Sequence, residues 1–193
     1  MSVRHATIKK PLDILKAEEW NMPHIVEIGR IDRVKRIQVD SDVTEIDITG
    51  LNGDEDEIYI LLGLIKNPGG DGWIGFRYNN DSGENYVRID AWIDSDGYHY
   101  GGPYDTGIDA TFAPFIYLKA GEYGFSRVWI WAKSGTYRIH FVDWINPIRI
   151  SRNFHHGYWK NTTDNITSLR IVRGTGTSVI GAGSIIWLLK YRI

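Results

Sequence analysis

The feature that most constrains this chain is the stretch from Val43 to Tyr86, VTEIDITGLNGDEDEIYILLGLIKNPGGDGWIGFRYNNDSGENY. Three runs rich in β-branched and aromatic residues are separated there by turns of Asn, Asp and Gly. Val43 to Ile48 places Thr44, Ile46 and Ile48 on one face and Glu45 and Asp47 on the other, the period-two pattern of a half-buried strand. Ile58 to Ile65 (IYILLGLI) is apolar on both faces and so belongs in the centre of a sandwich. Trp73 to Tyr78 is the third predicted strand. Short strands joined by such turns predict an all-β fold, an antiparallel β-sandwich.

The rest of the chain continues the pattern. Further strands are predicted over Val87 to Ile93, Phe115 to Leu118, Arg127 to Ala132, Tyr137 to Val142, Ser168 to Val172 and Ser184 to Tyr191, and Ser134-Gly135 predicts a two-residue hairpin turn. From His24 to Val39, β-branched content and Gly29 predict two strands with a kink. Only Pro11 to Trp20 (PLDILKAEEW) has a helical look, and Pro23 ends it. Residues 1–23 therefore read as an N-terminal arm with one short helix, and 24–193 as a single β-sandwich domain. The arm either docks on a neighbouring subunit or packs on its own domain.

The chain has no cysteine, which excludes a disulfide framework and a cysteine zinc site and fits synthesis in a reducing compartment. Neither a signal-peptide core nor an apolar run of about 18 residues is present, so no membrane partner is expected. Charge is uneven: residues 1–39 carry net +3, residues 40–126 net −13 and residues 127–193 net +8. The acidic middle and basic end can pair within one chain, the favoured reading, or head to tail between copies. The basic residues are dispersed along strands, which argues against a nucleic-acid partner.

Two surfaces stand out as candidate sites. The turn after Gly53 stacks Asp54, Glu55, Asp56 and Glu57, which invites calcium, but the EF-hand spacing is not met and an exposed acidic contact turn is the better reading. Tyr98, Tyr100 and Tyr104 in a Gly-rich stretch predicted as loop, with Trp159, would make a stacking platform for sugar rings or a flat partner surface, although plain sandwich loops look alike. Adjacent His155 and His156 point to opposite faces of a strand and cannot clamp one metal. No nucleophile elbow, P-loop or dinucleotide motif occurs, so no catalytic residue, metal or cofactor is assigned. Two carboxylates would suffice for a glycoside hydrolase or depolymerase, and the chain has many.

Read together, VTEIDITGLNGDEDEIYILLGLIKNP, the RYNNDSGENY turn and the closing WKNTTDNITSLRI and GAGSIIWLLKY segments resemble tailed-phage and prophage virion structural proteins, the tail, baseplate or capsid-associated β-sandwiches. The resemblance implies a jelly-roll-like sandwich that works by self-assembly as a capsid, decoration or tail component. Its partners would be copies of itself and other virion proteins, and its location the virion. The alternative expectation is a carbohydrate- or receptor-binding module with a host-surface glycan as partner.

Overall fold

A computed structural model describes residues 3–4, 25–26, 30–94, 96–149 and 151–192; these hold fourteen strands, and alternation of side chains along those of the two larger sheets sorts them into layers. The strands are β1 (Val3–Arg4), β2 (Ile25–Val26), β3 (Arg30–Gln38), β4 (Glu45–Thr49), β5 (Ile58–Lys66), β6 (Gly72–Tyr78), β7 (Tyr86–Asp94), β8 (Gly97–Tyr104), β9 (Ala113–Leu118), β10 (Tyr123–Trp131), β11 (Arg138–Asn146), β12 (Ser151–Trp159), β13 (Ser168–Arg173) and β14 (Ile185–Arg192). Every strand pairing among the described residues is antiparallel. An eight-stranded sheet runs β3-β14-β5-β10-β11-β12-β7-β8 and a four-stranded sheet runs β4-β13-β6-β9, with β1 and β2 paired separately.

The chain is thus an all-β, jelly-roll-like sandwich. Its core lies between the two sheets, where Ile74, Phe76 and Tyr78 of β6 and Phe115 and Ile116 of β9 meet Leu61, Val128, Ile130 and Leu188 of the larger sheet. Apolar burial on this scale is the dominant stabilising contribution, at about 25 cal/mol per Å². The doubly apolar strand β5 sits inside its sheet, between β14 and β10, as its composition demands.

Several expectations change here. The Tyr- and Gly-rich segment predicted as a loop is the edge strand β8, paired with β7; an edge tolerates Pro103 because one row of its backbone groups has no neighbour to bond. The segment SRNFHHGYW, not predicted as a strand, is β12, lying between β11 and β7. The β10–β11 hairpin forms, but its connection spans residues 132–137 and is not a two-residue turn. Ala132 N–H donates to Glu57 O, Ser134 N–H to Asp54 Oδ1 and Gly135 N–H to Thr162 O, so tertiary bonds hold this loop open. The helix expected over Pro11 to Trp20 lies outside the described residues. No helix among the described residues is long and apolar enough to cross a membrane.

The four acids are placed by α1 (Gly53–Asp56), a single helical turn. Asp54 accepts from Ser134, Asp56 accepts from the Tyr59 hydroxyl (2.8 Å) and pairs with Lys190 (2.8 Å), and Glu57 pairs with Lys133. The backbone N–H of Ser134 holds the Asp54 carboxyl below its usual range. Three of the acids therefore meet groups of this chain's own basic C-terminal third, while no ion pair is described for Glu55.

Candidate functional site

The larger sheet reverses the usual polarity of a sandwich at one end. Along β7, Arg88, Asp90, Trp92 and Asp94 share one face by period two, and along β12 Ser151, Asn153 and His155 do the same. Both sets face inward, toward the edge strand β9, which packs across β10, β11, β12 and β7. The result is a cleft of about 570 Å³ between the sheets, lined also by Trp73, Tyr104, Asp109, Tyr117, Trp144, Arg149 and Thr175.

Arg88 organises the cleft floor. Its side chain is 4% exposed, its Nη2 lies 3.1 Å from Asp109 Oδ1, and its Nε makes a 3.4 Å ion-pair contact with Asp90 Oδ2. The guanidinium lies 4.9 Å from the Trp73 ring and 4.7 Å from the Tyr104 ring, a cation between two aromatic faces. Trp73 in turn packs edge-on against Tyr117 (5.3 Å) and His155 (5.3 Å). Arg149 pairs with Glu122 (3.1 Å) and donates to Tyr117 O. Each arginine thus carries its own counter-ion, and the cleft offers fixed donors more than a positive field.

The protonation of His155 follows from its partners. The Trp144 indole N–H can only donate, so His155 Nε2 accepts it (2.8 Å), and the ring proton sits on Nδ1, donated to Asp90 Oδ1 (2.6 Å). His155 is therefore neutral with both nitrogens occupied. Burial pushes its pKa below the ordinary histidine value, against the opposing pull of Asp90.

Among the described residues, seven buried side-chain nitrogen or oxygen atoms have no hydrogen-bond partner, and five belong to this cleft: Arg88 Nε and Nη1, Arg149 Nε, Ser151 Oγ and Asn153 Nδ2. Unsatisfied buried polar atoms are costly, so their concentration in one place is a functional signal. Arg88 Nε already faces Asp90 at 3.4 Å, and three of the other four can only donate, which suits a ligand rich in oxygen acceptors. No group of three or more His, Asp or Glu among the described residues is arranged to hold a metal ion.

Of the sequence-predicted ligand surface, only Tyr104 reaches the cleft. A register shift between Arg88 and Asp90 sets Tyr104 opposite Arg88, whereas Tyr98 and Tyr100 pair with Ile93 and Ala91 and stand 68% and 63% exposed on the outer face. Trp159 is buried, its Nε1 donating to Asp81 Oδ2 (2.6 Å) beside Tyr78. Arg88, Asp90, Asn153 and His155 were not singled out as a site from the sequence. The available signal was in β7, where polar residues alternate with apolar ones, a pattern ordinarily read as polar-out; β12 is polar on both faces and carries no such alternation.

A second buried histidine, His140, stands beside Tyr78 and Gly157. Burial lowers its pKa to about 3. A Cβ on Gly157 would meet Val87 O at 2.2 Å and His140 Nε2 at 2.5 Å, so only glycine fits between these strands. Both histidines are neutral when folded and protonate near their ordinary value when unfolded, so the unfolded chain gains protons first as pH falls. Stability should be full above about pH 6.5 and fall below it, by up to ~1.4 kcal/mol per pH unit for each histidine, until the folded-state pKa is reached. Thermal unfolding at pH 7 and pH 5 checks this: the midpoint should drop by roughly 5–15 °C, and His140→Gln should flatten the dependence.

No family model and no curated protein matches the chain. Among solved structures it is similar to the alginate lyase Aly36B, at 13% identity with 88% of this chain and 82% of that chain covered and a TM-score of 0.33. It is similar to the PL-14 alginate lyase from Aplysia kurodai at 8% identity, 81% and 80% coverage and a TM-score of 0.37. The endo-beta-1,4-glucuronan lyase from the fungus Trichoderma reesei aligns at 10% identity over 86% of this chain and 90% of its own, with a TM-score of 0.25. The expected virion structural role is corrected by this comparison: these similar chains are lyases, and none is a virion component. Likeness at this level leaves activity to the site itself.

Proposed function

We propose that the chain is a carbohydrate-binding β-sandwich module that seats its ligand in the cleft between β7, β12 and β9 and acts by binding, not by catalysis. The observation that carries this reading is the meeting of indole and phenol rings with partnerless buried donors in a cleft of about 570 Å³. Sugars present both an apolar C–H face for rings and hydroxyl oxygens for such donors. A binding role is favoured over hydrolysis because the histidine and carboxylates of the cleft are engaged: His155 at both nitrogens, Asp90 and Asp109 by Arg88, and Asp94 by His99 (3.0 Å).

Calorimetric titration against a panel of neutral and uronate oligosaccharides tests the reading. Asn153→Ala removes a donor and Trp92→Ala removes a ring stacked on His99 (5.0 Å, 11°); each should weaken binding about 10-fold or more, the equivalent of ~1.4 kcal/mol. Tyr100→Ala, on the other face, should change nothing. Because each arginine is internally neutralised, raising the salt from low to high should change affinity less than about threefold. A wild-type chain that binds no member of the panel, or variants at Asn153 and Trp92 that bind normally, would overturn the proposal.

A further inference from the structure

The reversed polarity that makes the cleft has a counterpart on the opposite side of the same sheet. Where a solvated sheet face should be polar, β10 and β11 turn Phe125, Trp129, Trp131, Ile139, Phe141 and Ile145 outward, and Phe125, Trp131, Ile139, Phe141 and Ile145 are each between 40% and 46% exposed. The register extends this face on both sides. Leu62 of β5 lies beside Arg127, and Ile89 of β7 lies beside His156 of β12, whose ring meets Phe141 edge-on at 5.0 Å.

Within the patch, two arginines share one carboxylate. Asp143 accepts from Arg127 (3.1 Å) and from Arg152 at both carboxylate oxygens (3.2 and 3.1 Å). Each guanidinium thus already has a carboxylate partner, although two arginines on one aspartate leave the trio a net charge of +1. What fits the exposed aromatic and aliphatic side chains around them is another flat apolar face.

The five adjacent strands β5, β10, β11, β12 and β7 are each nine residues long. At ~4.8 Å between strands and ~3.3 Å per residue they span ~24 by ~30 Å, or ~700 Å². That area is close to the ~800 Å² per partner buried in a stable complex.

We infer that a second copy of this chain docks on this face, sheet against sheet across a two-fold axis. Such an axis pairs the patch with itself, so one surface supplies both halves of the interface. The two sheets then stack about 10 Å apart, as in aligned sandwich packing. The clefts lie on the opposite faces of these sheets and end up pointing away from each other. If the cleft binds carbohydrate as proposed above, the dimer is a bivalent binder whose avidity on a repeating glycan exceeds single-site affinity.

Light scattering on the full chain over a concentration series tests the dimer without reference to any ligand. The expected result is a mass of two chains. Phe141→Glu places a carboxylate in the middle of the patch and should give a monomer with unchanged far-ultraviolet circular dichroism. Ile145→Lys, at a position already 46% exposed, does the same at lower folding risk. Because the chain has no cysteine, Ile139→Cys is a unique attachment point, and a spin label there should report a second label across the interface. A wild-type monomer at every concentration overturns the inference and means that something other than a second copy covers the face. A dimer that survives both charge substitutions, or that gives no coupling between labels, overturns it as well. None of these readouts depends on glycan binding, so failure of the dimer and failure of the cleft are separately visible.

Discussion

Arg138→Ala should destabilise the protein by about 4–5 kcal/mol, enough on its own to consume much of the stability of an ordinary domain. Arg138 opens β11 and is wholly buried, yet no carboxylate hydrogen-bonds to it. Its Nη1 donates to Thr136 O (2.8 Å) and Asn161 O (2.9 Å), its Nη2 donates to Asp164 O, and its guanidinium lies 5.9 Å from the Trp159 ring. One side chain thus ties the β10–β11 loop to the segment that follows β12. Alanine would leave three carbonyls short of a donor, at about 1 kcal/mol each, and open a cavity under Trp159 worth a further ~1–2 kcal/mol. Arg138→Lys keeps the charge and loses the planar fork, so it should cost roughly half as much. Urea unfolding gives the answer: the midpoint should fall with little change in slope. A loss below about 1 kcal/mol for the alanine variant would mean that water replaces the guanidinium without penalty.

Asp90→Ala should cost about 3–5 kcal/mol, since removing one partner of a buried pair leaves an uncompensated charge. Asp90 is 5% exposed and serves two groups, accepting the His155 Nδ1 proton at 2.6 Å and contacting Arg88 Nε at 3.4 Å. The same guanidinium also meets Asp109, but that carboxylate is 35% exposed, so water replaces much of what it provides. Asp109→Ala should therefore cost about 1 kcal/mol or less. The contrast between the two aspartates is the informative measurement, because both touch one arginine and differ in burial. Equal losses would show that Arg88 is hydrated in the cleft. At a temperature where Asp90→Ala remains folded, glycan binding should still drop more than about 10-fold, because Trp144 hangs on the ring that Asp90 orients.

How far residues alone lead depends on whether the information is local. Val43 to Tyr86 declared its strands, with β5 and β6 predicted to within one residue at either end, because apolar runs and Asx-Gly turns act over a few positions. Tyr104 was identified, but on a predicted loop, since glycines and Pro103 do not reveal that an edge strand will tolerate them. The two-residue turn at Ser134-Gly135 was locally sensible and lost to bonds from Asp54 and Glu57, eighty and seventy-five residues earlier in the case of Ser134 and Ala132. Inward-facing polar residues were the hardest to read. VRIDAWID alternates as a clean half-buried strand, but nothing in the alternation says which half is inside, and SRNFHH, polar at nearly every position, does not alternate at all.

The sequence by itself determined an all-β antiparallel sandwich, a cysteine-free chain, and a central apolar strand, because periodicity and turn chemistry are properties of neighbouring residues. Only the tertiary structure decided that Arg88, Asp90, Asn153 and His155 face a cleft while Phe125 and Phe141 face outward. The physical reason is that β7 and β12 are far apart in the chain and become neighbours only through the register of the larger sheet, and the sense of a strand's two faces is fixed by what packs against it.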